Sequence, residues 1–176
     1  EFKTPVESNA TSDQFSMLGS MVLWLFWPSF CAALVAPEQV PFTAVNVVIA
    51  LCGATIATYF ISVALRGKVC MADMANAALA GGVAIGSTCD RATHNMAFII
   101  GVLGGALSAY GFAVIQGKLQ GLVKGIDTCG VTNLHGWPGL FGGISAVFVV
   151  SGISMGAQLT GIGIAIVLSL VTGYIT

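Results

Sequence analysis

Long apolar stretches separated by short polar punctuation organise this chain. Residues 1 to 14, EFKTPVESNATSDQ, form a polar lead-in. Beyond them come about six apolar segments, most of them close to the ~20 residues a helix needs to cross a bilayer. The first runs from about Phe15 to Ala36 and carries Trp24, Phe26, Trp27 and Phe30, with Pro28 among them. Proline removes a backbone donor, so a kink is expected there. Pro37-Glu38-Gln39-Val40-Pro41 is a turn. The second segment covers about Phe42 to Leu65 and is closed by Arg66-Gly67-Lys68. The third, about Ala72 to Thr88, is weakly hydrophobic and rich in alanine and glycine, so it belongs inside a bundle. Asp73 near its start is expected to cap it. Asp90-Arg91-Ala92-Thr93-His94-Asn95 reads as the next loop, with His94 solvated. The fourth segment spans about Met96 to Ile115, followed by a loop to Ile126. The fifth opens at Asp127 and reaches Val150, and the sixth starts at about Leu159.

Composition turns these segments into membrane spans. Hydrophobic residues make up 56% of the chain and charged residues 7%, against about 25% charged in a soluble domain. The runs lack the period-two alternation of a β-barrel, so the fold class is an all-α integral membrane protein. Twenty-three glycines fit closely packed helices, because small residues let backbones approach where no hydrophobic effect drives association. The spacings Gly82/Gly86, Gly101/Gly105 and Gly139/Gly143 predict such crossings. Cys31, Cys52, Cys70, Cys89 and Cys129 are scattered without a CxxC pair. They read as reduced packing residues, neither a disulfide frame nor a metal site. The polar N-terminal stretch is no signal peptide, and no basic patch suggests nucleic acid.

Charge placement orients the spans. One side receives Lys3, Arg66, Lys68, Lys118 and Lys124, and the other only Arg91. The positive-inside rule then puts both ends of the segment in the cytoplasm. The sequon Asn9-Ala10-Thr11 falls on the wrong side for glycosylation.

The chemistry gathers in one stretch, Asp127-Thr128-Cys129-Gly130-Val131-Thr132-Asn133-Leu134-His135-Gly136-Trp137-Pro138-Gly139-Leu140-Phe141-Gly142-Gly143. At about 1.5 Å of rise per residue, His135 lies roughly 12 Å in from Asp127. In a hydrocarbon core ~30 Å thick that is near the middle. An ionisable residue at such depth marks a pore or relay, or an interhelical hydrogen bond. Gly139 and Gly142 follow on the same expected helix face, leaving space or a close neighbour beside the ring. Asp127 suits a cap on the first turn, where a carboxylate meets unpaired amides and the positive end of the helix dipole. Asn76 either lines an inner vestibule or bonds a neighbouring helix. No nucleophile–base pairing, metal cluster or phosphate loop supports an enzyme, and no cofactor is implied.

Asp-Thr-Cys-Gly-x-x-Asn-Leu-His-Gly-x-Pro-Gly at 127–139 resembles the signature of the Rhesus (Rh) glycoprotein branch of the ammonium transporter superfamily. Ser12-Asp13-Gln14-Phe15-Ser16-Met17, Leu23-Trp24-Leu25-Phe26-Trp27-Pro28-Ser29-Phe30 and Asn76-Ala77-Ala78-Leu79-Ala80-Gly81-Gly82-Val83-Ala84 agree in the same order. The resemblance implies an eleven- or twelve-helix channel fold of two inverted halves, assembled as a homotrimer with a pore in each subunit. Residues 15–176 would be the second half, and the N-terminal half would be a partner missing from this chain. His135 matches the second-half member of a pore histidine pair. Phe30 matches one of two stacked phenylalanines at the outer gate. Asp127 matches an acid at the inner start of the histidine-bearing helix. Thr132 stands where relatives often carry His or Asn.

The implied function is a channel in the cell membrane, plasma or inner, that recruits ammonium, sheds its proton and conducts neutral ammonia. A bare ammonium ion in an apolar pore costs several kcal/mol or more. A neutral imidazole offers one donor and one acceptor, enough to touch a passing ammonia without trapping it. The alternatives are electrogenic ammonium transport, carbon dioxide conduction, and a non-conducting ammonium-sensing or scaffold protein.

Overall fold

The computed structural model describes residues 9–123, 127 and 129–175. Its first helix, α1 (Ala10–Ala32), starts inside the expected polar lead-in. Asn9 is the reason. Its side chain accepts from the Thr11 and Ser12 amides at 3.0 Å each, and Ser12 Oγ accepts from the Asn9 amide at 2.9 Å. This reciprocal capping box satisfies donors that the first turn would otherwise leave unpaired. The sequon asparagine is therefore a helix cap. The helical run continues through Pro28.

A short 3₁₀ turn, Pro37–Gln39, leads into α2 (Val40–Arg66), which ends at Gly67 with φ of 73°. The left-handed conformation there suits glycine. The expected third span is two pieces, α3 (Met71–Ala77) and α4 (Ala80–Ile85). At the break the Asn76 side chain donates to the Ala72 carbonyl at 3.0 Å. The Leu79 amide bonds the Asn76 carbonyl, and the Gly82 amide the Leu79 carbonyl, each at 2.9 Å. These are tight three-residue bonds in place of the α-helical ladder. α4 is almost wholly buried, and α3 buries Asp73, Ala75 and Ala77, as a weakly hydrophobic segment requires.

Asp73 does not cap α3. Its carboxylate accepts from Arg66 Nε at 2.7 Å, Arg66 Nη2 at 2.9 Å and Ser62 Oγ at 2.8 Å. The bidentate pair ties the end of α2 to the start of α3, and Ser62 also accepts from the Cys70 amide at 3.0 Å. A guanidinium on a neighbouring element outcompetes local amides for a carboxylate that is only 1% exposed.

The next helix, α5 (His94–Tyr110), passes through a π turn, Gly111–Ile115, into α6 (Gln116–Val123). Helix therefore replaces the first part of the expected loop after Ile115; Lys124 to Ile126 lie outside the described residues. His94 is not a loop residue but the first residue of α5. Asn46 donates Nδ2 to the Cys89 and Ala92 carbonyls at 2.9 and 2.8 Å, which turns its Oδ1 toward His94 Nδ1 at 2.7 Å. That imidazole nitrogen must carry the hydrogen. A second π turn, Thr132–Gly136, opens α7 (Trp137–Val149). A turn containing Gly152 at φ 80° leads to α8 (Met155–Ile175).

The centre of the bundle is α2, with Val47, Ala50, Leu51 and Ala54 fully buried. Glycines let α4 and α5 press against it. A side chain on Gly81 or Gly101 would collide with the Ala50 carbonyl oxygen. One on Gly105 would meet Ala54 Cα at 2.6 Å. On the far side of α4, Gly142 of α7 sits directly on the Ala84 carbonyl. In lipid such contacts hold helices together through close van der Waals packing. By contrast α8 buries none of its residues and α1 only Ser20 and Ala32.

Among the described residues, four helical segments are long and apolar enough to cross a membrane: Ala10–Ala32, Pro37–Arg66, His94–Leu122 and Met155–Ile175. The third and fifth expected spans are the shorter pieces Met71–Ile85 and α7 with its π turn. No disulfide and no metal-binding cluster occurs among the described residues.

Candidate functional site

Asp127 fixes the start of the histidine-bearing segment. Its two carboxylate oxygens accept from the Val131 and Thr132 amides, both at 2.9 Å. Gly130 takes φ of 68° just before the turn. The segment then divides its side chains cleanly. Asn133, Leu134 and Pro138 are buried, while Val131, His135, Gly136 and Gly139 are exposed. His135 forms no hydrogen bond with any described residue. Both ring nitrogens are thus available to a visitor.

The three glycines after the ring behave differently. Gly139 is exposed, and a side chain there would meet only Val83 at 3.8 Å, an ordinary contact. Gly142, expected on the same face, is buried against α4. Gly143 packs toward α8, where a Cβ would meet Ile162 at 3.2 Å. Gly136 and Gly139 near His135 are therefore exposed and uncrowded, and the close packing belongs to Gly142 and Gly143.

A cavity of about 980 Å³ opens between α1, α3 and the two π turns. Its wall includes Asp13, Ser16, Asn76, Gln116 and Leu134. Asn76 thus both borders this cavity and braces its own helix. Leu134 brings the cavity to the residue before His135, although the ring itself is not in its lining. Phe30 lies apart from it on α1, 68% exposed and edge-on to Trp27 with ring centres 6.2 Å apart. Trp27 in turn covers Gly82 of α4, where a Cβ would fall 2.5 Å from the indole nitrogen.

Two residues that sequence reasoning did not single out join this site. Gln116 donates Nε2 to the Asp127 carbonyl at 3.2 Å and accepts from Asn133 Nδ2 at 3.3 Å. Asn133 is 1% exposed, and its Oδ1 has no hydrogen-bond partner. The signal available was a carboxamide inside an apolar run, which lipid disfavours without a partner.

An all-helical, multi-pass membrane protein with an unpartnered imidazole beside small residues defines the class. Residues 1–176 match the Ammonium Transporter Family, and the chain belongs to that family. Among its relatives are Rhesus proteins. The chain is 38% identical over 159 residues to Ammonium transporter Rh type A of Canis lupus familiaris, covering 88% of this chain and 38% of the relative. It is 43% identical over 137 residues to Ammonium transporter Rh type B of Tetraodon nigroviridis, covering 76% of this chain and 30% of that protein. The solved structure of Nitrosomonas europaea Rh50, one of the Rhesus family of channels, superposes with a TM-score of 0.94 at 61% identity. That match covers 98% of this chain and 46% of Rh50. A sensor Amt protein shares the fold, with a TM-score of 0.70 at 23% identity over 82% of this chain. The chain spans less than half the length of each of these relatives.

Proposed function

We propose that this chain supplies one wall of a pore that conducts neutral ammonia, with His135 as the residue the gas touches midway. The observation that carries the reading is the exposed, unpartnered ring of His135 in the middle of an apolar span, beside Gly136 and Gly139. An imidazole left unpaired against lipid would forfeit its hydrogen bonds, at about 1–3 kcal/mol. Facing a pore, it exchanges them with each passing molecule. The partner wall comes from the rest of the protein, and the complete molecule is a trimer in the cell membrane with both ends of this segment cytoplasmic.

On this reading the cavity beside Asn76 and Leu134 is the inner vestibule, wet and polar enough to return a proton to emerging ammonia. Phe30 belongs to the outer gate, where an exposed aromatic ring narrows the mouth against hydrated ions. His135 accepts from or donates to ammonia through weak hydrogen bonds, and the apolar wall excludes ammonium by its desolvation cost.

Two recordings on the whole protein test this together. In proteoliposomes under an ammonium gradient, internal pH should rise several times faster than in empty vesicles. Across a supported bilayer the same gradient should give no protein-dependent current, since ammonia moves no charge. A sustained current would instead assign net ammonium transport. No added pH change would leave carbon dioxide or a sensing role.

A further inference from the structure

The two π turns among the described residues touch, and the contact is made at Asn133, two residues before His135. Gly111 opens the first turn, and a side chain on it would collide with Oδ1 of Asn133 in the second. Asn133 also donates Nδ2 to Gln116 Oε1, and Gln116 donates Nε2 to the Asp127 carbonyl. Asp127 holds the amides of Val131 and Thr132 at the head of the same turn. The four residues close a ring of contacts around the segment that carries His135.

The orientation of each amide follows by elimination. A backbone carbonyl only accepts, so Gln116 must turn Nε2 to Asp127. Its Oε1 then faces Asn133, which must donate Nδ2. Asn133 Oδ1 is left pointing at the bare α-carbon of Gly111, with no hydrogen-bond partner. Reversing either amide would set oxygen against oxygen.

We infer that Asn133 and Gln116 are positioning residues that hold the His135 segment in its π register and so aim the ring outward. A π turn is uncommon and carries one more residue than an α turn. If the segment relaxed to an α turn, residues beyond it would rotate by about 100° relative to those before it. Asn133 and Leu134 face the core, and His135 faces out. A rotation of that size would carry the ring toward the buried side. The side-chain bonds of Asn133 and Gln116 hold the turn against that rotation, and Gly111 leaves the room they need. This inference rests on the reading of His135 as the pore residue.

The test uses whole protein in lipid nanodiscs and proteoliposomes, with Asn133→Leu, Gln116→Leu, the double variant and Gly111→Ala. Histidine is labelled with ¹⁵N, and the His135 ring signal is assigned by its loss in His135→Ala. Each single variant should move or broaden that signal and slow ammonia-driven pH change by several fold. The double variant should be no slower than the slower single, because both changes release the same turn. Gln116→Leu is the milder substitution, at a half-buried position, and serves if Asn133→Leu does not fold. An unmoved His135 signal in every folded variant, or losses that multiply in the double, would overturn the inference. A moved signal together with unchanged flux in His135→Ala would keep the positioning role and remove His135 from conduction.

Discussion

Replacing His135 by glutamate in the whole protein is expected to stop ammonia conduction, and replacing it by alanine to slow it. Alanine removes both ring nitrogens and leaves a gap. A hydrogen bond contributes about 0.5–1.5 kcal/mol net, and each 1.4 kcal/mol is about tenfold in rate. His135→Ala should therefore lower flux by up to about tenfold. Glutamate does something different. As the carboxylic acid it would give its proton to passing ammonia, and as the carboxylate it would hold ammonium that has not yet shed its proton; either way an ammonium–carboxylate ion pair remains in a low-dielectric site. Such a pair is worth about 3 kcal/mol or more when desolvated, so release slows by roughly a hundredfold or more. Stopped-flow internal pH in proteoliposomes reads both. Equal flux in wild type, alanine and glutamate variants would remove His135 from the path.

Gly101→Val is expected to be the most damaging single change to the bundle. Its side chain would enter the Ala50 carbonyl, with Ala50 Cα 2.6 Å from the new Cβ. The obstruction is backbone on α2, which cannot rotate aside. Overpacking costs about 1–3 kcal/mol and sometimes more, and here two helices must separate along their length. We expect a melting temperature well below wild type in detergent, or failure to assemble. Gly117→Ala is the matched control. It has nothing within 4 Å, and alanine is about 1 kcal/mol better than glycine in a helix. Its melting temperature should hold or rise.

These glycines show what the sequence reveals. The Gly101/Gly105 spacing announces a close crossing, and the backbone of α2 lies against both. Asp127 is legible for a related reason, since its amide partners are local and follow within five residues. Asp73 carries the same local signature and does otherwise, because its partner Arg66 comes from another helix. Hydropathy set the start of the first span at Phe15, whereas the Asn9 and Ser12 hydrogen bonds set the true start of α1. Capping is a hydrogen-bond property and leaves little trace in hydropathy.

The π turns were not legible. An extra residue in one turn turns the following face by about 100°, but apolar and small residues fill both faces of these spans, so the change leaves no mark in the hydropathy pattern. Gly139 and Gly142 both lie beyond the second turn in α7, and it is contact with the Ala84 backbone that buries Gly142 while Gly139 stays exposed. The break at Ala78-Leu79 was hidden for a different reason. Alanine and glycine fill both sides of it, and the Asn76 bond to Ala72 appears only once the chain has folded.

Conduction past His135 requires that its ring border a passage. A density map of the whole protein in lipid nanodiscs, at a resolution that shows the imidazole, tests it most directly. The expected map shows a narrow continuous lumen running from the cavity beside Asn76 and Leu134 past the exposed face of His135 and Gly139. A ring packed against lipid acyl chains, or sealed by side chains on every side, would contradict it.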